Sequence, residues 1–170
     1  PGRVRIAGAL LLTSPFVPLL FQGEEWAAST PFLYVTDHED PDLGRAVSEG
    51  RRQEFAAFGW EPEEVPDPQD PATFAASVLR WDELGSPGHA DVLGWYRALI
   101  ALRRSRPGLA TGPLDDVAVT FKEDARWLVV HRRAAGVSVA VNLGDADQDV
   151  PDAGAGDGRR VLPGVGDVPG

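Results

Sequence analysis

The chain has 170 residues, enough for one ordinary domain or for a small domain with part of another. Its net charge of −10 disfavours a nucleic-acid backbone or an anionic membrane surface as a partner. No cysteine is present, which excludes disulfides and thiolate metal sites, and His38, His89 and His131 lie too far apart in sequence to suggest a zinc motif. The residues therefore predict neither a metal site nor an organic cofactor.

The most hydrophobic region, Ile6 to Phe21, is interrupted by Pro15 and Pro18 and falls short of the ~20 apolar residues that a membrane helix needs. No basic, apolar and cleavage regions follow one another as in a secretory signal. We therefore expect a soluble, cytoplasmic protein with no membrane partner. The sequence contains no methionine and opens at Pro1 inside what reads as a helix, so we also expect a fragment.

The first two predicted elements are a helix and a strand. Apolar residues from Arg3 to Leu12 repeat at helical spacing, and Pro15 ends the run. Phe16 to Phe21 then form an apolar stretch without polar alternation, bounded by Pro15 and Gly23, which is typical of a parallel strand covered on both faces. A helix followed by a strand is half of a repeating α/β unit.

A polar and aromatic cluster follows this predicted strand, at the carboxyl end where α/β folds place their ligands. Its members are Gln22, Glu24, Glu25 and Trp26. The chain up to Asp40 then shows no sustained period and is predicted to be a long structured loop, which carries Tyr34, Asp37 and His38.

A second helix is predicted to start at Asp40, a capping residue, followed by Pro41 at the first helical position, and to end near Gly59. Glu61 to Ala72 holds four prolines and is predicted to be loop. This loop is either a disordered linker or an ordered excursion pinned by Trp60, Phe74 and Trp81. The flanking aromatic residues favour order.

The hydrophobic period changes from helical to alternating near Leu109. A helix is predicted over Ala90 to Arg106, and three antiparallel strands are predicted around residues 117–121, 127–131 and 137–143. We accordingly predict two domains, 1–108 and 109–170, of which the second is all β. Four tryptophans are predicted to be core: Trp60, Trp81, Trp95 and Trp127.

Long sequence strings in the first half of the chain carry a family resemblance. Residues 18–26 have the form P-x-x-F-x-G-E-E-W, which resembles the eighth strand of the catalytic barrel in the α-amylase superfamily of glycoside hydrolases. Two longer runs, FQGEEWAASTPFLYVTDHEDPDLGRAVSEGRRQEFAAFGW and VPDPQDPATF, resemble the malto-oligosyltrehalose trehalohydrolase family. A departure lies after Phe74, where Ser77 to Trp81 lack the lysine that this family leads us to expect.

The resemblance implies an α/β fold joined to an all-β one. Residues 1–108 would be the last strand and helices of a (β/α)8 barrel, and residues 109–170 an incomplete C-terminal antiparallel β-sandwich, with the whole truncated at both ends. The partner of this chain would then be the missing N-terminal part of the same polypeptide.

The resemblance also implies a retaining hydrolase that releases trehalose from malto-oligosyl trehalose by cutting the α-1,4 bond next to the terminal trehalose. Such chemistry needs two carboxyl groups about 5 Å apart. In the family these two carboxyl groups, and a third that stabilises the transition state, follow the fourth, fifth and seventh barrel strands, which would precede Pro1. We therefore predict no catalytic residue in this chain, and no activity for the chain alone. Nothing in the sequence gives Glu24 with Glu25, or Asp37 with Glu39, the required spacing.

Seven residues are predicted to bind the malto-oligosaccharide substrate: Gln22, Glu24, Glu25, Trp26, Tyr34, Asp37 and His38. Five of them have an alternative role: salt bridging for the two glutamates, core packing for Trp26, and hydrogen bonding within the loop for Asp37 and His38. Two other functions stay open. The chain could be a non-catalytic carbohydrate-binding or structural module, or it could belong to another branch of the superfamily, such as a branching enzyme or an α-amylase.

Overall fold

The computed structural model describes residues 2–61 and 64–150. In chain order its helices are α1 (Gly2–Thr13), α2 (Pro41–Ala56), α3 (Pro71–Ala76), α4 (Pro87–Ser105) and α5 (Pro107–Thr111), and its strands are β1 (Val117–Lys122), β2 (Trp127–Arg132) and β3 (Val137–Asn142). The chain divides into two compact units, one comprising the residues up to Ala27 and from Leu84 onward, the other Ala28–Glu83. Over the described ranges, no helix is long and apolar enough to cross a membrane.

The first unit is built on the packing of α1 against α4. Both helices were predicted from their apolar period, and both are confirmed. Their shared core consists of Ala9, Leu12, Val92, Tyr96 and Leu99. Leu102 continues this stripe along α4 into a second cluster with Leu109 of α5. The predicted stop at Pro107 is real, but the proline also starts α5, because its fixed φ suits a first helical turn.

The three predicted antiparallel strands are confirmed as one sheet in the order β1-β2-β3. Val130 pairs with Val119 on one side and with Val139 on the other. Val129 and Val141 are buried, whereas Phe121 on β1 is exposed. Arg159 to Leu162, whose sequence resembles a strand, lie outside the described residues, and a second sheet that would make a sandwich stays a prediction.

The second unit contains α2, α3 and the loops around them. The Asp40 carboxylate accepts hydrogen bonds from the Asp42 and Leu43 amides, so the predicted N-cap of α2 is confirmed. Asp70 caps α3 in the same way, two residues earlier than the predicted end of the proline-rich loop. The described part of that loop is ordered, as the sequence favoured.

The prediction of a buried strand from Phe16 to Phe21 is wrong for this chain. The segment has no strand pairing among the described residues, and Val17 is 94% exposed. A parallel strand acquires its hydrogen bonds from neighbouring strands, and the described part of the chain supplies no strand beside this segment. Trp60 and Trp81 were likewise predicted to be core and are exposed, the latter to 64%.

Candidate substrate-binding site

The predicted cluster after Phe21 folds as one tight turn in the first unit. Gly23 adopts φ 83°, and Glu24–Trp26 then form a single 3-10 turn. The Glu24 amide donates to the Phe21 carbonyl at 3.1 Å, and the Ala27 amide donates to the Glu24 carbonyl at 3.0 Å. Ala27 has φ 54°, which is costly for a residue with a Cβ, so surrounding contacts must hold the turn closed.

The Glu24 side chain supplies two of those contacts. One carboxylate oxygen accepts the Phe21 amide at 2.8 Å, and the other accepts the Tyr96 hydroxyl at 2.9 Å. The pKa of Tyr96 is raised above its usual range, chiefly by burial. The hydrogen bond to Glu24 raises it further, as do the negative charges of Glu24 and Glu25. The hydroxyl therefore stays protonated and remains a donor to Glu24.

The other three predicted residues of this turn differ in exposure. Gln22 is exposed and Glu25 is half-buried. The Glu25 carboxylate makes no hydrogen bond or ion pair with the described residues. Trp26 is 2% exposed, so its indole packs into the unit and presents no face to a ligand. His89 holds the Trp26 carbonyl from α4 at 2.7 Å.

Two arginines hold the chain that leads into this segment. Arg103 of α4 donates to the carbonyls of Leu12 at 2.9 Å and Ser14 at 2.8 Å, and also to that of Phe16 at 2.8 Å. Arg132 of β2 has no exposed surface and donates to the Thr13 carbonyl.

These carbonyls include the unpaired ones at the carboxyl end of α1, which favour a cation. Burial and the nearby charge of Arg132 lower the pKa of Arg103, yet an arginine remains cationic because its normal pKa exceeds 12. Arg103 lies in the last turn of its own helix, where a cation suits the dipole. In the structure it serves a different helix, and a pairing across 91 residues leaves no local sequence signal.

Tyr34, Asp37 and His38 lie on the long loop of the second unit. The Tyr34 ring stacks on the Arg51 guanidinium, with 4.9 Å between the ring centroid and the guanidinium carbon. Asp37 is exposed, and His38 is half-buried. The loop is held through its backbone.

Gln69 provides that backbone anchor. Its side-chain oxygen accepts the Thr36 hydroxyl at 2.6 Å and the His38 amide at 3.2 Å, and its side-chain nitrogen donates to the His38 carbonyl at 3.4 Å. The Thr36 amide donates to the Pro68 carbonyl at 2.9 Å. An ordered proline-rich loop was predicted from the sequence, but nothing in the sequence identified Gln69 as the residue that hydrogen-bonds to the His38 backbone.

Asp67 links this loop to α2. It accepts the Ser48 hydroxyl at 2.6 Å and the Gln69 amide at 3.0 Å, and it pairs with Arg52 at 3.2 Å. The hydrogen bond from the Ser48 hydroxyl has the largest effect on Asp67 and lowers its pKa, and the hydrogen bond from the Gln69 amide lowers it further. Partial burial raises the pKa of Asp67, and the charge of Arg52 lowers it by a smaller amount. Among the residues that the structure describes, no group of three acidic, histidine or cysteine side chains could hold a metal ion.

Comparison with known proteins finds several similar sequences. No family model matches the chain. The malto-oligosyltrehalose trehalohydrolase of Brevibacterium helvolum is 49% identical over 156 residues, which cover 92% of this chain and 26% of that protein. The protein of the same name from Rhizobium sp. is 50% identical over 85% of this chain and 24% of its own length. The protein of the same name from Arthrobacter ramosus is 54% identical over 62% of this chain and 18% of its own length.

A solved structure agrees with these sequence matches. A candidate alpha amylase from Salmonella typhimurium superposes with a TM-score of 0.73 at 37% identity, covering 88% of this chain and 26% of that one. The chain spans about a quarter of the length of the relatives it matches. The resemblance predicted from the sequence is therefore confirmed: along most of its length this chain is a relative of the malto-oligosyltrehalose trehalohydrolases.

Proposed function

We propose that the whole protein releases trehalose from malto-oligosyl trehalose by hydrolysing the α-1,4 bond next to the terminal trehalose. The observation that carries this proposal is 49% identity, over 92% of the chain, to a protein named for that activity. The described loops add support, because each unit offers exposed polar groups that could hydrogen-bond sugar hydroxyls.

The chemistry belongs to the rest of the protein. A retaining mechanism needs one carboxylate as nucleophile and one carboxylic acid as proton donor, about 5 Å apart across the bond. Glu24 is held by the Phe21 amide and the Tyr96 hydroxyl, which gives it a structural role in the turn. Glu25 is its chain neighbour, and adjacent side chains diverge, so the sequence does not give the pair this spacing. We infer that the reacting carboxylates are supplied from outside this chain.

This chain would contribute substrate contacts and shape. Gln22 and Glu25 are the sugar-contacting candidates of the first unit, and Tyr34, Asp37 and His38 are those of the second. Glu24 and Trp26 shape the turn between Phe21 and Ala27, which is a structural role. Trehalose hydroxyls both donate and accept, which suits amide, carboxylate and imidazole groups.

The same proposal covers the architecture. Residues 1–108 would be the last part of a (β/α)8 barrel. Residues 109–170 would be part of a β-sandwich, and the protein would act in the cytoplasm. The exposed apolar side chains of Phe16, Val17 and Leu19 support this view, because the remainder of a barrel would cover them.

The test is product analysis on the protein expressed from its complete coding sequence. Incubation with maltotriosyl trehalose is expected to yield free trehalose and maltotriose, and the 170-residue chain alone is expected to yield neither. An α-amylase is the second candidate, favoured by the Salmonella typhimurium structure. Hydrolysis of plain maltodextrin at the same rate as maltotriosyl trehalose would support that alternative and contradict trehalose specificity.

A further inference from the structure

Helix α4 presents a row of polar groups to the segment that ends in the candidate turn. His89, Tyr96 and Arg103 are spaced by seven residues, so they lie on nearly the same face, two turns apart from one another. Each of them forms a hydrogen bond with the stretch between Leu12 and Trp26. We call these three residues the α4 ladder.

The ladder holds the segment at both ends. Arg103 binds the carbonyls of Ser14 and Phe16, where the segment begins. Tyr96 and His89 bind Glu24 and the Trp26 carbonyl, where it ends. A carbonyl only accepts, so the Nδ1 atom of His89 must carry the hydrogen.

Tyr96 is the least adjustable of the three. It is 2% exposed and lies in the core shared by α1 and α4. A Cβ built on Gly8 of α1 would come within 2.9 Å of the Tyr96 ring, so the ring has no room to move toward that helix. A buried hydroxyl with one carboxylate partner fixes that carboxylate strongly, since either group would be costly to leave unpaired.

The two adjacent glutamates consequently have different roles. Glu24 gives its oxygens to the Phe21 amide and the Tyr96 hydroxyl, whereas Glu25 has no such partner among the described residues. We propose that Tyr96 is a positioning residue of the hydrolase: by holding Glu24 it orients Glu25, and Glu25 is the carboxylate of the pair that accepts a substrate hydroxyl. This inference rests on the proposed function.

The test compares steady-state kinetics of the protein expressed from its complete coding sequence, with maltotriosyl trehalose as substrate. Glu25→Gln is expected to raise KM about 10-fold with kcat within about 2-fold, because a contact made equally in substrate and transition state affects KM alone. Tyr96→Phe is expected to raise KM about 5-fold. If the two changes were independent, the KM of the double variant would rise by the product of the two increases, about 50-fold. We expect a much smaller rise in KM, because both changes act on the same substrate contact.

The matched control is Ser105→Ala. It removes a hydroxyl from the same helix, but that hydroxyl bonds only to the Leu102 carbonyl within α4. Its KM is expected to match the wild-type value. Glu24→Gln keeps an acceptor for the Tyr96 hydroxyl and should raise KM less than Glu24→Ala does, a ranking that simple loss of fold would not produce.

The outcomes separate the two proposals. The positioning role is contradicted if Tyr96→Phe has the wild-type KM, or if the KM increases of the two single variants multiply fully in the double variant. The substrate contact is contradicted if Glu25→Gln leaves KM unchanged. A wild-type protein that releases no trehalose contradicts the proposed function instead. In that case amide hydrogen exchange of residues 21–27 in Tyr96→Phe still decides the positioning role, with about 10-fold faster exchange expected and unchanged exchange overturning it.

Discussion

The two irregular stretches that carry the candidate site residues are held in opposite ways. The turn from Phe21 to Ala27 is anchored by side chains of one long helix, α4, and the deepest of these, Tyr96, is buried. The loop from Tyr34 to His38 is anchored by Gln69, which is itself only half-buried. Both stretches lack regular structure, yet their anchors differ in burial.

Burial decides what the loss of an anchor costs. A buried donor or acceptor left without a partner costs about 1 to 3 kcal/mol, while a group near the surface exchanges its partner for water. The first stretch should therefore keep one conformation, and the second should open locally at a lower cost.

The largest expected effect comes from removing Arg132, which has no exposed surface. Its guanidinium donates to the Thr13 and Gly108 carbonyls and lies 3.6 Å from the Asp116 carboxylate. Arg132→Met would leave that carboxylate buried and unpaired, so we expect a loss of about 3 to 5 kcal/mol in the free energy of unfolding. Denaturant unfolding checks this value. The exposed neighbour Arg133→Met is the control, and an equal loss in both variants would contradict the buried clamp.

Next comes Gly108→Ala in α5. A Cβ at this position would lie 2.7 Å from the Ala134 carbonyl carbon, which belongs to the backbone and cannot swing aside. The expected loss in the free energy of unfolding is about 1 to 3 kcal/mol.

The matched control for this variant is Gly94→Ala in α4, where nothing lies within 4 Å. That substitution should be neutral or stabilising by up to about 1 kcal/mol, because alanine favours the helix. A Gly108→Ala variant as stable as Gly94→Ala would contradict the close backbone approach at Gly108.

A smaller and local effect is expected for Gln69→Ala. The variant loses the bonds to Thr36 and His38, but water can replace them, so we expect a loss of about 1 kcal/mol confined to the loop. Limited proteolysis should cut between Thr36 and Asp40 faster than in the wild type, with global unfolding unchanged. Faster cutting in the turn at Gly23 would contradict the independence of the two anchors.

The smallest effect is a pH dependence from Asp67. Its pKa is lowered in the folded protein by the Ser48 hydroxyl and the Gln69 amide, so its stabilising contribution is present above about pH 4, the usual pKa of an aspartate, and is lost as pH falls through the lower folded value. Asp67→Asn should remove this part of the acid sensitivity. Unfolding midpoints between pH 5 and pH 3 measure it, and an identical pH profile in both proteins would exclude the contribution.

The regular elements of this fold were predictable because their signals are local. The helical spacing of apolar residues predicted α1 and α4, and the alternation of apolar and polar residues predicted the three strands. Asp40 and Pro41 marked the start of α2. The Phe16 to Phe21 prediction was wrong because an apolar run indicates burial only when something covers it. The prediction that Trp60 and Trp81 lie in the core was wrong for the same reason.

The anchors of the candidate site were not predictable from such patterns. Tyr96 fits the apolar stripe of α4, and nothing in that stripe shows that its hydroxyl meets Glu24, 72 residues away. Gln69 resembles any polar loop residue until its bonds to His38 are seen. The seven-residue spacing of His89, Tyr96 and Arg103 was the available signal, since three polar-tipped side chains along the packed face of one helix indicate polar partners.

The most direct test of this account is amide hydrogen exchange in the complete protein, compared among the wild type, Tyr96→Phe and Gln69→Ala. We expect Tyr96→Phe to speed exchange about 10-fold at Phe21 and Glu24 and to leave Thr36 and His38 unchanged, because a hydrogen bond to a carboxylate contributes about 1.5 kcal/mol or more. Gln69→Ala should give the reverse pattern. Faster exchange at both stretches in either variant, or at neither, would contradict the separate anchoring of the turn and the loop.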